Sequence, residues 1–171
     1  MGLMRVIDVS PLSWEALFCC FLSGIIIGLE RQLRGKPVGM RTSALICIGT
    51  YIFIAMTRHV ANEITDPSRI IGQVVTGIGF LGAGVILARQ GTIVGVTSAS
   101  AIWVLAAIGV VIGLGFSWLG VKMAVLSVAI LVGVDFVEGR FESLQRGVHR
   151  KLEEIREHEN RGPHNGTQNS E

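Results

Sequence analysis

The residues that could do chemistry are few, and the first group of them stands at the end of a long apolar segment. Glu30 and Arg31 end that segment, and Arg41 comes shortly before the next one. A carboxylate beside two guanidinium groups could form a charge network at one mouth of a helical domain. The alternative is an ordinary charged helix end with no further role. The sequence leaves both interpretations open.

A second pair, Asp66 and Arg69, stands where another apolar segment begins. Asp66 can cap a helix, and Pro67 suits its first position. Arg69 is a cation at the positive end of the helix dipole, which disfavours it. Arg69 therefore needs an anionic partner, which could be Asp66, Glu63 or a lipid phosphate.

Other polar side chains fall within apolar segments or at their edges. Gln73 and Thr76 either form hydrogen bonds between helices or line a site for a solute or ligand. Thr97 starts a later segment, where helix capping explains it as well as any functional role. Lys122 either extends towards the membrane surface or pairs with an acid across the bundle.

No catalytic or metal-binding arrangement is visible in the sequence, so we expect a protein that is not an enzyme. The histidines lie in connecting or terminal segments, and the three cysteines fall in apolar runs without the spacing of a disulfide framework or a zinc site. We expect no cofactor, with magnesium left open as a ligand. The net charge of +2 is too small to indicate nucleic acid.

The elements that position these residues are those of a membrane protein. Half of the residues are hydrophobic and 16% are charged, against about 25% in soluble domains. We predict an all-α fold of five transmembrane helices that span approximately residues 14–29, 42–57, 70–88, 97–115 and 117–137. Short loops are expected at 58–65 and 89–96. A weak similarity between residues 21–44 and 80–99 indicates a two-helix parallel repeat.

Glycines mark the helix contacts. In the third span, 19 residues from Ile70 to Ala88 carry no charge, and four glycines crowd into its middle. Small residues let helices approach closely in lipid, so we predict a tight partner for this helix. The first span carries a weaker motif of the same kind. The glycines expected at helix contacts are Gly24, Gly28, Gly77, Gly79, Gly82 and Gly84.

The distribution of basic residues sets the predicted orientation. With the loop after the first span inside, 11 basic residues lie on the inner side and 3 on the outer side. The positive-inside rule then places the N-terminus outside and the C-terminus in the cytoplasm. We divide the chain into a transmembrane domain at 1–137, a cytoplasmic amphipathic helix at 138–160 and a disordered tail at 161–171.

Three stretches carry a resemblance to a known family. They are GLERQLRGKPVGMRTSAL, DPSRIIGQVVTGIGFLGAGVIL and TSASAIWVLAAIG. They closely resemble the membrane domain of the bacterial MgtC/SapB family over about residues 24–115. Two features depart from it: Val94-Gly95 replaces an Arg-Gly that is frequent in the family, and only about 35 residues follow the last span, where many members carry an ACT-like domain.

The resemblance implies an inner-membrane, multi-pass, non-catalytic regulator that supports growth in low magnesium or under stress and is associated with virulence. Such a protein would act by binding lipid or another membrane protein, such as the F-type ATP synthase. A homo-oligomer is also open. The resemblance gives weight to a functional role for Glu30, Arg31 and Arg41. The alternative function is transport of magnesium or another ion, although the span interiors offer no carboxylate for Mg²⁺.

Overall fold

The computed structural model describes residues 8–60, 67–89 and 92–140. The described part contains five helices and one short antiparallel pair of strands. The helices are α1 (Trp14–Leu33), α2 (Met40–Val60), α3 (Pro67–Ala83), α4 (Val96–Gly113) and α5 (Ser117–Arg140), and the strands are β1 (Leu87–Arg89) and β2 (Thr92–Val94). Four of the five helices, all except α3, are long and apolar enough to cross a membrane.

Helices α1 and α2 form the closest crossing in the bundle. Ser13 caps α1 by accepting a hydrogen bond from the backbone N–H of Ala16. Further along α1, Gly24 lies against the backbone of Ala44, and Gly28 lies against Met40. A Cβ atom at position 28 would stand 2.5 Å from the Cα of Met40. The two helices therefore depend on glycine for their separation, as small residues allow in membranes.

Helix α4 also packs on α2, again through glycines. A Cβ atom at Gly109 would meet the carbonyl of Cys47 at 2.6 Å, and one at Gly113 would meet the side chain of Ile54 at 2.7 Å. The resulting core is fully buried and apolar. Its largest members are Ile27, Leu105, Ile108, Ile112 and the three cysteines, Cys19, Cys20 and Cys47.

Helix α3 is shorter than the predicted span. It has 17 residues and ends at Ala83, so it is about 25 Å long and at the lower limit for a membrane span. The predicted span continued to residue 88, and the loop at 89–96 was wrong in part, because the chain turns after Ala83 and forms the β1–β2 hairpin. The predicted helix was too long because it was based on apolar character alone, and the apolar residues that begin at Leu87 form a strand instead.

The hairpin leads into α4 through a glycine that no other residue could replace without strain. Gly95 has a φ of +94°, a conformation that costs other residues free energy. A Cβ atom there would also collide with the carbonyl oxygen of Val85. This close approach explains the glycine of the Val94-Gly95 pair.

The glycines of α3 differ from the prediction of a tight partner. Gly77 and Gly79 have no atom of the described residues within 4 Å of a Cβ placed on them. A Cβ atom placed on Gly82 would make ordinary contact with the carbonyl oxygen of Ala99 in α4 at 3.6 Å, and one on Gly84 would meet only carbonyl oxygens of its own turn. Within the described residues, α3 thus packs on α4 through one face and leaves its other glycines open.

The chain forms two compact units, residues 1–129 and residues 130–171. The first unit contains α1 to α4, the hairpin and α5 as far as Ala129. There Gly120 and Ala124 are buried, and Gly120 lies against Ile112. The second unit is described only for the end of α5. The predicted amphipathic helix at 138–160 lies outside the described residues from 141 onwards, and the predicted tail at 161–171 lies wholly outside them.

Candidate functional site

A buried charged cluster joins the end of α1 to the start of α4. Arg31 is 3% exposed, and one of its terminal nitrogens donates a hydrogen bond of 3.1 Å to the hydroxyl of Ser98. The carboxylate of Glu30, 7% exposed, lies 3.7 Å from the Arg31 guanidinium and 2.7 Å from Nε of Arg34. We call these four residues the charge clamp.

The local sequence explains why the clamp forms at this point. Arg31 stands in the last turn of α1, where the helix dipole favours a cation. Its guanidinium reaches the first turn of α4, whose positive end disfavours a cation. The neighbouring Glu30 offsets this penalty. Neither Glu30 oxygen accepts a well-aligned hydrogen bond within the described part of the chain, so the attraction between Glu30 and the arginines is electrostatic.

Because the clamp is buried, loss of one of its charges should strongly lower the free energy of unfolding. Removing one member of a buried ion pair typically costs about 3–5 kcal/mol, because the other charge remains in a medium of low dielectric constant. The Nε atom of Arg31 is also buried and forms no hydrogen bond within the described ranges. The contact that the clamp makes between α1 and α4 should therefore be sensitive to substitution of its charged residues.

The connection between α1 and α2 fixes the end of α1 that carries the clamp. The backbone N–H of Lys36 donates to the carbonyl of Arg31 at 2.9 Å, and the Ser43 hydroxyl donates to the carbonyl of Val38 at 3.2 Å. Gly35 takes a positive φ of 62°, which allows the chain to reverse.

The structure brings together only some of the site residues expected from the sequence. Glu30 and Arg31 meet in the clamp, whereas Arg41 is exposed and forms no ion pair within the described residues. Thr97 is exposed, and its neighbour Ser98 takes the position facing Arg31. Ser98 had no distinguishing signal, because it lies 67 residues from its partner and sits in a run of small polar residues.

The residues at the start of α3 occupy a different place. Arg69 and Gln73 are exposed on consecutive turns of α3, and neither has a hydrogen-bond or ion-pair partner among the described residues. Asp66 lies outside those residues, so the predicted pairing of Asp66 with Arg69 stays a prediction. Lys122 is likewise exposed.

A groove of about 640 Å³ runs between α2 and α3. Apolar side chains form most of its wall, and Thr57 and Gln73 stand towards the end where α2 finishes and α3 begins. We call it the α2–α3 groove. It is lined by Thr42, Leu45, Ile46, Gly49, Thr50, Phe53, Thr57, Ile70, Gln73, Val74, Gly77, Ile78 and Leu81.

A second cavity, of about 490 Å³, lies at the opposite end of α1 from the clamp. Glu15 and the buried Tyr51 line it, together with residues at the end of α4 and the start of α5. The Tyr51 hydroxyl accepts a hydrogen bond of 2.9 Å from the backbone N–H of Ser13. No group of three or more metal-ligating side chains occurs within the described ranges.

The fold and these sites define a helical, multi-pass membrane protein. The chain belongs to the MgtC family, whose pattern matches residues 17–140. It is therefore a protein of the bacterial inner membrane.

The chain is also similar to three individual proteins. It is 47% identical over 133 residues to an Escherichia coli K12 protein named "Putative magnesium transporter YhiD", a match that covers 74% of this chain and 61% of that protein. It is 44% identical over 153 residues to an uncharacterized protein of Haemophilus influenzae, covering 84% and 61% respectively. It is 42% identical over 99 residues to the protein MgtC of Salmonella typhimurium LT2, covering 58% and 42%.

The chain thus spans about three fifths of the length of the first two of these relatives. No solved structure matches it.

Proposed function

We propose that this protein is a non-catalytic regulator of adaptation to low magnesium or stress, which acts by binding another membrane protein or a lipid. The observation that carries the proposal is the open glycine face of α3. Gly72 and Gly79 lie on one side of that helix, and a methyl group added to either of them would meet no described atom within 4 Å.

Glycine on a helix surface that meets only lipid brings no packing benefit and lowers helix propensity by about 1 kcal/mol relative to alanine. Small residues are useful where another helix approaches closely. Thr76, between these glycines, donates its hydroxyl to the carbonyl of Gly72 at 2.9 Å, so its polar group is already satisfied. The face is therefore smooth and apolar, as a contact with a transmembrane partner requires.

The test is a variant that fills this face without disturbing the fold. We expect Gly79→Leu to abolish support of growth in low magnesium while the amount of protein and its melting temperature stay unchanged. Phe21→Leu, at an exposed position of α1 on the bundle surface, is the matched control and should remain active. Full activity of Gly79→Leu would contradict a partner at this face.

A photo-cross-linking residue at the exposed Thr76, which lies between the two glycines on this face, can identify the protein partner. The F-type ATP synthase is the first candidate to probe in the cross-linked product, because it is the partner that the family resemblance implies. A cross-link that Gly79→Leu removes would support a contact at this face, whereas a cross-link unchanged by Gly79→Leu would place it elsewhere.

The proposed orientation has the charge clamp on the cytoplasmic side. It rests on the excess of basic residues at that end, 11 against 3. A reporter enzyme fused after Glu171 should then behave as cytoplasmic. A fusion that is active only in the periplasm would reverse the orientation.

Transport of magnesium is the second candidate function, favoured by the name of the YhiD relative and by the cavity that Glu15 lines. Mg²⁺ is usually bound through one or two carboxylates and retains several waters, which a cavity of about 490 Å³ can hold. Purified protein in liposomes tests this function directly. Magnesium uptake above that of protein-free vesicles, lost in Glu15→Gln, would favour transport over regulation.

A further inference from the structure

We propose that the α2–α3 groove binds one anionic phospholipid, with an acyl chain along the groove and the phosphate at Arg69. The proposal rests on the lipid alternative of the proposed function, for which the groove is the binding site. It is separate from the protein partner, because Gln73 and Gly77 lie roughly 130° around α3 from Gly72 and Gly79.

The dimensions of the groove favour a hydrocarbon chain over a helix. From Thr42 to Thr57 its wall on α2 is about 22 Å long at the rise of an α-helix. The whole empty space of the groove, with its open side included, is about 1230 Å³, which over that length gives a mean cross-section of roughly 56 Å². A helix with its side chains is at least about 10 Å wide and needs a section of roughly 80 Å². An extended acyl chain is only one methylene wide.

The groove has an apolar length and a polar end, as a phospholipid does. Leu45, Phe53 and Leu81 are exposed, line the apolar part and would face a chain. Gln73 lies near the end where α3 begins, and its amide has no hydrogen-bond partner within the described residues. An amide NH₂ can donate to the ester carbonyl of a lipid, which satisfies a group that is costly to leave unpaired in a membrane.

Arg69 supplies the charge. It lies four residues before Gln73, hence one turn closer to the start of α3 and on nearly the same side. Its long side chain can extend along the helix towards the membrane surface. The positive end of the helix dipole disfavours a cation at this position, but the same end and the guanidinium together attract a phosphate. Arg69 forms no ion pair within the described ranges.

The experiment measures lipid selectivity at the groove with a single tryptophan. The native residues Trp14, Trp103 and Trp118, all more than half exposed, are replaced by phenylalanine, and Phe53→Trp places the reporter on the groove wall. The protein is reconstituted in phosphatidylcholine bilayers. Fluorescence quenching is then compared between phosphatidylglycerol and phosphatidylcholine that carry bromine on their acyl chains.

We expect a preference of about five-fold for the anionic lipid at this tryptophan, the size expected of one cation near a membrane surface. Arg69→Gln should reduce the preference to near unity. Lys122→Gln removes the same charge from another exposed span position and should leave the preference unchanged. Gly77→Leu, which fills open space in the groove, should lower quenching by the anionic lipid at an unchanged melting temperature.

Three results would overturn the proposal. Equal quenching by both lipids in the protein with Arg69 intact would mean that only bulk lipid touches the groove. No quenching by either lipid would mean that protein covers it. Equal losses in Arg69→Gln and Lys122→Gln would indicate general electrostatic attraction. If the single-tryptophan protein does not fold, native mass spectrometry of the unaltered chain, with and without Arg69→Gln, decides by the number of phosphatidylglycerol molecules retained.

Discussion

The glycines of α1 and α3 are chemically identical but should respond in opposite ways to an added methyl group. In Gly28→Ala the new Cβ atom would stand 2.5 Å from the Cα of Met40, whereas in Gly79→Ala it would meet no described atom within 4 Å. Carbon atoms in favourable contact are about 3.5–4.0 Å apart. Helices α1 and α2 would have to separate by about 1 Å to accept the methyl group, while α3 would not have to move.

The loss of stability in Gly28→Ala follows from this separation of the two helices. A gap of about 1 Å removes up to half of the dispersion attraction of the atoms that face it, and overpacking in cores typically costs about 1–3 kcal/mol. Alanine recovers about 1 kcal/mol through its higher helix propensity. We therefore expect Gly28→Ala to lower the free energy of unfolding by up to about 2 kcal/mol. Gly79→Ala should leave it unchanged or raise it by up to about 1 kcal/mol.

The assay is reversible unfolding of the purified protein in mixed detergent micelles, followed by tryptophan fluorescence as the denaturing detergent is increased. Gly24→Ala, which faces the backbone of Ala44, serves as a second tight position, and Gly77→Ala serves as a second open one. The reasoning would be refuted if the four variants shifted the midpoint by the same amount. It would also be refuted if the two α3 variants were the less stable pair.

Two further predictions concern the charge clamp and the turn before α4. Arg31→Gln should lower the free energy of unfolding by about 3–5 kcal/mol, because it leaves the carboxylate of Glu30 buried with one cation fewer. Lys122→Gln, at an exposed position, should change the free energy of unfolding by less than about 1 kcal/mol. Equal effects of the two variants in the same detergent titration would show that the clamp is not buried in the folded protein. Gly95→Ala should sharply reduce the yield of folded protein in gel filtration, because its Cβ atom would collide with a carbonyl oxygen. Gly35→Ala, where φ is also positive but the space is open, should reduce the yield only mildly. A normal yield for Gly95→Ala would count against the observed turn.

Apolar segments separated by charged or glycine-containing turns were enough to predict four of the helices nearly at their observed bounds. The fourth predicted span, 97–115, compares with α4 at Val96–Gly113. The end of α3 could not be predicted in this way, because a buried helix and a short apolar strand have the same hydropathy. The β-branched residues of β2 and the glycine at position 95 carried the missing information about the hairpin.

The contacts between helices were harder to predict than the helices themselves. Glycine spacing on α3 indicated a tight contact, but which glycine meets a neighbour depends on the rotation of the helix about its own axis, and a single sequence does not record that rotation. Arg31 and Ser98 are brought together by the fold across 67 residues, so no local pattern could pair them. Glu30 and Arg31 were recognised as a group, but their burial became apparent only in the structure.

The distribution of packing indicates how stability and function divide along the chain. Helices α1, α2 and α4 share glycine crossings, a buried core and the charge clamp, so substitutions there should act mainly through the free energy of unfolding. Helix α3 combines ordinary packing on α4 with open glycines and a groove, so much of its surface can change without loss of stability. A variant that loses growth in low magnesium at an unchanged melting temperature should therefore map to α3 or its groove. Within that helix, loss at Gly79 would indicate a protein partner, whereas loss at Arg69 would indicate a lipid.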